Sequence, residues 1–350
     1  VTPIAYPDGD GAGIYFNGND YTILNIIDSE LSFNNANNSG GGIYSFGNGY
    51  ISIYNSEIHD NRCDLYPLVE DDQGNSGSRV GGGIFHFGSL VIDNSLIYNN
   101  STIDYGGAIY TGGNENDGEL INITNTSFYN NKSRYGAAIY SYRSVNIDKS
   151  LIYGNSGQLD EDCVTLLDAY EKLLVTNSTI VENDCSYSFA IGSCCSDDWP
   201  NSDGIIANSI FWNENSLNEL VVGLDPDASP LDRLIVTYSN VRGGEDLIYD
   251  YEPGGTEIIW LEGNINQNPL FINIESNDFR LQPQSPCIDS GTSNFYFENQ
   301  TIISQETLGS FIGSNPDMGA FEFDGDSSCN VQGDTNNDQL VNVLDIVLLV

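Results

Sequence analysis

Apolar side chains return along this chain in short alternating sets about a hydroxyl residue. The hydroxyl positions are Ser29, Ser56, Ser95, Thr126, Ser150, Ser178, Ser209 and Ser239. Three residues before each stand Ile26, Ile53, Ile92, Ile123, Ile147, Val175, Ile206 and Val236. Five before stand Leu24, Ile51, Leu90, Ile121, Val145, Leu173 and Leu234, with Gly204 interrupting the column. Two after come Leu31, Ile58, Ile97, Phe128, Ile152, Ile180, Phe211 and Val241. A spacing of two is the strand period, so these side chains share one face and the residues between them take the other. Helices are not supported, because Gly, Asn and Ser punctuate every segment.

A glycine phrase precedes these units. It reads Gly40-Gly41-Gly42-Ile43-Tyr44, Gly81-Gly82-Gly83-Ile84-Phe85, Gly106-Gly107-Ala108-Ile109-Tyr110 and Gly136-Ala137-Ala138-Ile139-Tyr140, with a looser copy at Gly11-Ala12-Gly13-Ile14-Tyr15. Such repeats mean a stacked solenoid, and glycine there lets neighbouring coils approach closely. Five residues after the hydroxyl comes Asn34, Asn61, Asn100, Asn131, Asn155 or Asn183. An Asn there tolerates the left-handed conformation of a tight bend, and its amide can bond the coils above and below. The column breaks after Ser209, where the fifth residue is Glu214. The predicted fold is all-β, a right-handed parallel β-helix of about eight coils stacked ~4.8 Å apart. On this reading coils occupy 1–242, a β-helix end or cap 243–324 and a short loop-helix tail 325–350.

Charge narrows the partners. Ten Lys and Arg face 50 Asp and Glu, a formal charge of −40 over 350 residues. Phosphate binding needs clustered cations, so nucleic acid and anionic membrane surfaces are excluded. The acidity reads as a solvated surface in a salty or calcium-containing medium, or as carboxylates that hold divalent cations. Cys63, Cys163, Cys185, Cys194, Cys195, Cys287 and Cys329 lack the paired C-x-x-C spacing of a zinc site, which points to disulfides in an oxidising compartment. The chain opens on Val1 without a signal-peptide pattern, as a mature form or fragment does. No apolar run reaches the ~20 residues that span a bilayer.

The later segments carry a family resemblance. Tyr238-Ser239-Asn240-Val241, Asn266-Gln267-Asn268-Pro269-Leu270-Phe271, Phe279-Arg280-Leu281-Gln282-Pro283, Ser285-Pro286-Cys287-Ile288-Asp289-Ser290-Gly291 and Asp317-Met318-Gly319-Ala320-Phe321-Glu322 form the signature. It resembles the C-terminal part of secreted bacterial right-handed β-helix proteins of the choice-of-anchor Q type. The resemblance covers most of 10–324. It implies the fold and an extracellular or surface-associated life, and brings no catalytic residues with it. The signature residues are expected to close the open end of the solenoid, since an uncovered edge invites pairing with another chain.

Beyond them, Asp334, Asn336, Asp338, Asn342 and Asp345 place side-chain oxygens at loop positions 1, 3, 5, 9 and 12, with the Leu340 carbonyl at position 7. That is the EF-hand arrangement for Ca²⁺. With Gly333 before it and the apolar run 343–350 after it, the segment resembles the first calcium loop of a type I dockerin. The resemblance implies Ca²⁺ as cofactor and a cohesin as partner. Gln339 stands at loop position 6, where glycine is normal, and the second repeat is missing before Val350.

Candidate chemistry lies in the loops. Excursions over 62–80, 156–172 and 184–203 leave soon after the Asn column and are expected on one edge. They carry Glu70, Asp71, Asp72, Asp160, Glu161, Asp162, Asp197, Asp198 and Trp199, together with five of the cysteines. The expectation is a disulfide-stiffened recognition edge where carboxylates hold Ca²⁺ and Trp199 stacks on a sugar. The competing reading is ordinary acidic loops around a buried Trp. Tyr15, Tyr44, Phe85, Tyr110 and Tyr140, and likewise Tyr98, Tyr129 and Tyr153, form outward columns that offer rings to glycans or stack on one another. His59 and His86 read as surface residues. The function expected is recognition or display on extracellular polysaccharide or a surface partner. One alternative is a polysaccharide lyase or glycoside hydrolase. A lyase needs a basic residue, for which Arg62, Arg79, Arg134 and Arg143 are candidates, and a hydrolase needs two carboxylates ~5–9.5 Å apart. A third reading is a structural adhesin stalk.

Overall fold

The alternation is realised as strands. The computed structural model describes residues 11, 13–19, 21–63, 79–112, 120–158, 162–192, 202–223, 232–251 and 255–325. One coil supplies Ile43–Phe46 to a first sheet, Tyr50–Tyr54 to a second and Glu57–His59 to a third. Repetition of this unit builds long sheets of nine, nine and eight strands. Their strands pair in parallel and in register: Ile53 with Ile92, and Ile92 with Ile123. The chain is a parallel β-helix.

The three apolar columns line its interior. Ile51, Ile53, Ile58, Leu90, Ile92 and Ile97 are fully buried, as are their counterparts in later coils, whereas Leu24 and Leu31 of the first coil are half-buried. The gap at Gly204 has a use. A Cβ there would lie 2.8 Å from the ring of Phe189, which fills the missing column. The glycine phrase brings backbones together as expected, since a Cβ on Gly82 would meet the Gly107 carbonyl oxygen at 2.5 Å.

Two polar ladders hold the corners. The N–H of Ser56 donates to Ser95 Oγ at 3.1 Å, and that hydroxyl donates to the Asp93 carbonyl at 2.9 Å. The same pair of bonds recurs from Ser29 to Ser239. In the Asn ladder each Nδ2 donates to the Oδ1 of the next coil, at 3.0 Å for Asn61 to Asn100 and 3.1 Å for Asn100 to Asn131. The left-handed residue at this bend is not the ladder Asn. It is the residue before it: Phe33, Asp60, Asn99, Asn130 and Gly154 have φ of 57°, 52°, 55°, 56° and 64°. The expected break after Ser209 is also corrected. That bend is one residue shorter, so Asn213 takes over from Asn183 at 3.0 Å, and the ladder ends on the buried carboxylate of Glu219. Glu219 is held in turn by Arg242 at 3.1 Å.

The C-terminal signature does not simply close the end. Phe271, Phe279, Leu281, Cys287 and Met318 pack on the outer side of the third sheet, against Leu151, Tyr153, Val181, Ile210 and Trp212. Polar clamps fix this flank. Asn208 exchanges two 2.8 Å bonds with the Thr292 backbone, Thr179 Oγ1 accepts from the Ala320 N–H, and Lys149 Nζ donates to the Thr307 and Leu308 carbonyls. Asp289 and Asp317 spend their carboxylates on backbone N–H groups of the same segment.

Two further expectations fail. Both histidines are buried. His86 points into the coil, where Ser45 Oγ and the Ser89 carbonyl hold its ring nitrogens at 2.9 and 3.1 Å, and burial lowers its pKa to about 4. His59 lies between Asp60 (2.8 Å) and Glu30 (3.1 Å). The excursions over 156–172 and 184–203 each contain a seven-residue strand: Cys163–Ala169 and Cys185–Ile191 belong to the first sheet. In place of the glycine phrase they carry Val164-Thr165-Leu166 and Ser186-Tyr187-Ser188, so periodicity alone did not expose them.

Candidate functional site

These strands redistribute the acidic residues expected on one edge. Residues 63 and 79, and residues 158 and 162, flank the passage from the third sheet to the first. Residues 192 and 202 flank the passage from the first sheet to the second. In sequence, Asp197, Asp198 and Trp199 therefore fall between strands of the first and second sheets, whereas Asp71, Asp72, Asp160, Glu161 and Asp162 fall between strands of the third and first. Only Asp162, which is exposed, belongs to the described residues. The others, Glu70, Cys194, Cys195 and Cys329, and the whole loop of Asp334, Asn336, Asp338, Leu340, Asn342 and Asp345, lie outside them. Among the described residues no group of three or more His, Cys, Asp or Glu is placed to hold a metal ion. No described helix is long and apolar enough to cross a membrane. One expected disulfide is present, Cys163–Cys185, joining register neighbours of the first sheet.

One open groove follows from the Asn ladder. The residue before each ladder Asn takes the left-handed bend, and the residue after it starts the path back to the first sheet. Phe33, Asp60, Asn99, Asn130 and Gly154 thus form one rail, and Arg62, Ser101, Lys132 and Ser156 form the other. With Gly157 and Gln158 they line an open groove of about 940 Å³ running along the stack. Strand pairing sets its rhythm, because Arg62 pairs with Ser101 and Ser101 bridges to Lys132. Each coil offers hydrogen-bonding groups at the strand spacing of ~4.8 Å. The sequence reading found the Asn column between these rails but not the rails, although the fourth and sixth positions after each hydroxyl carry them.

An aromatic column borders the groove. His59, Tyr98, Tyr129 and Tyr153 immediately precede Asp60, Asn99, Asn130 and Gly154. Their rings stack face to face, with centroids 4.4, 4.6 and 5.1 Å apart. On the first sheet Tyr44, Phe85, Tyr110 and Tyr140 do the same at interplanar angles of 1–5°. Rings stacked this way use their faces on each other, and His59, Phe85 and Tyr140 are buried besides, so the faces within these columns are already occupied. Burial raises the Tyr129 phenol to about 12 and keeps it protonated.

Phe33 is the exception. Its side chain is 75% exposed, and its ring meets His59 only edge-on, at 5.7 Å and 80°. It sits at φ 57°, where the next coils have Asp60, Asn99 and Asn130. A bulky residue in that region is strained by ~1–2 kcal/mol, and no burial of the ring offsets the strain. Lys149, Glu182, Tyr238 and Leu270 share such a φ, so it is the exposure of the ring, beyond the bend itself, that sets Phe33 apart.

A second unusual group is Asp168, on the outer face of the first sheet beside Tyr140. It is 3% exposed, its Oδ2 accepts from Thr165 Oγ1 at 2.9 Å, and its Oδ1 has no hydrogen bond. Burial pushes its carboxyl up to about 7, against the pull of the Thr165 bond. The neighbouring phenols of Tyr140 and Tyr170 are bonded to each other at 3.0 Å. Comparison of the chain with models of known protein families, with curated proteins and with solved structures found no match.

Proposed function

We propose that this protein is a secreted or cell-surface β-helix that recognises an extended extracellular polysaccharide, laid along the groove between the Phe33 and Gln158 ends. The observation that supports this reading is the exposed, strained Phe33 ring at the end of a polar trough whose groups repeat once per coil. Linear polysaccharides repeat hydroxyls and ring faces at a similar step. Asn, Ser and Gln side chains satisfy hydroxyls in both directions, and an aromatic face covers the apolar side of a pyranose. The dockerin-like tail would add attachment, with Asp334, Asn336, Asp338, Asn342, Asp345 and the Leu340 carbonyl holding Ca²⁺ and a cohesin as docking partner.

Phe33→Asn separates function from folding. It relieves the bend, so unfolding is expected to cost about 0.5–1 kcal/mol more. It also removes the stacking face, so oligosaccharide affinity drops about five- to tenfold by titration calorimetry. Unchanged affinity for a ligand that binds the parent protein would remove Phe33 from the site. The catalytic alternative is read from the same mixtures: unsaturated products or new reducing ends would replace a binder with a lyase or hydrolase. For the tail, Asp334→Ala is expected to abolish one equivalent of Ca²⁺ binding, and equal Ca²⁺ uptake by both proteins would end that assignment.

A further inference from the structure

We infer that the polysaccharide is anionic and that Lys132 is the seat of its carboxylate or sulfate ester. This rests on the groove reading above and adds its ligand class. The chain has ten Lys and Arg, all among the described residues. Nine have side-chain partners or other recorded interactions. Arg233 and Arg242 are paired with Asp203 and Glu219, Arg280 with Asp278, Lys149 holds the C-terminal flank and Lys172 donates to Gln300. Arg143 donates inside the coil to the Gly112 carbonyl, Arg134 covers the Tyr135 ring, and Arg62 and Arg79 are engaged as well. Lys132 alone carries no hydrogen bond or ion pair on its ammonium among the described residues, in a molecule with five carboxylates for every cation. It is exposed and stands midway along the groove.

The one carboxylate among the described groove residues, Asp60, is two coils away and already bonded to His59. On the other side the next carboxylates of the two rails, Glu182 and Asp184, stand two coils on from Lys132, ~9.6 Å by the strand spacing and beyond the ~8 Å screening length at physiological ionic strength. Arg62 lies in the same rail, two strand steps from Lys132, which is ~9.6 Å. If one pyranose occupies each coil, a chain with an acidic group on every second sugar meets Lys132 and Arg62 together. A chain acidic on every sugar would press a further anion against Ser101, and a neutral chain would leave the ammonium without a counter-group.

The test compares four hexasaccharides by titration calorimetry at 0.15 M salt. They are a hyaluronan fragment with alternating uronates, a polygalacturonate fragment, a sulfated galactan fragment and a neutral cello-oligosaccharide. The hyaluronan fragment or the sulfated galactan is expected to bind about tenfold tighter than the neutral chain, and whichever is tighter identifies carboxylate or sulfate. Lys132→Gln, at an exposed position, should leave the melting temperature unchanged and abolish that preference. Binding of acidic and neutral chains with equal affinity, or a preference that survives Lys132→Gln, would overturn the inference while leaving the groove reading intact. Failure of all four to bind would overturn both.

Discussion

Asn131→Ala lowers the free energy of unfolding by about 3–5 kcal/mol, because it strands several buried polar groups at once. Asn131 Oδ1 accepts from the N–H and Nδ2 of Asn100, at 3.0 and 3.1 Å. Its Nδ2 donates to the Ile97 carbonyl at 2.8 Å and to Asn155 Oδ1 at 3.0 Å. All of this is sealed from water, Asn131 itself being fully buried. Alanine fills none of these roles. Urea unfolding measures the loss. A change below 1 kcal/mol would mean that the ladder follows from stacked strands and does not stabilise them.

Asp168→Asn is expected to act in the opposite direction, and only above acidic pH. The carboxyl has a folded-state pKa of about 7 against an ordinary 3.8. Protonated in both states below pH ~4, it contributes nothing unfavourable there. Between the two values the folded state binds a proton that the unfolded state has released, so stability falls by about 1.4 kcal/mol per pH unit. The total loss by pH 8 is about 4 kcal/mol. Asn keeps an acceptor for Thr165 and cannot ionise. The variant should therefore gain on the parent steadily from pH 4.5 to pH 8 in paired denaturant melts, the other carboxylates cancelling in the comparison. A difference independent of pH would show that Asp168 does not titrate in this window.

Most of the architecture was legible because one spacing rule governs it. Residues three and five before each hydroxyl, and two after, had to be buried, and from Ile51 to Val241 they are, Gly204 aside. What escaped was local. A bend shortened by one residue moved the ladder from Glu214 to Asn213, and no periodicity reports a single deletion at a corner. Cys163–Ala169 and Cys185–Ile191 lost their glycines, so two strands passed for loops. His59 and His86 passed for surface residues because a histidine does not declare whether its hydrogen-bond partners are water, carboxylates or a neighbouring coil's serine. The groove was readable in principle. Phe33 is the one aromatic member of a column otherwise occupied by Asp60, Asn99, Asn130, Gly154 and Glu182, and an aromatic residue where a left-handed bend favours Asn or Gly is a sequence-level signal.

Length dependence tests the groove most directly. Its rails pass Asp60, Asn99, Asn130 and Gly154 on four successive coils. Titration of one acidic oligosaccharide series should give affinity rising with each added sugar to about four or five rings, at ~4.8 Å per coil, then levelling. Affinity that is already maximal for a disaccharide, or that keeps rising well past six sugars, would contradict a ligand laid along these coils.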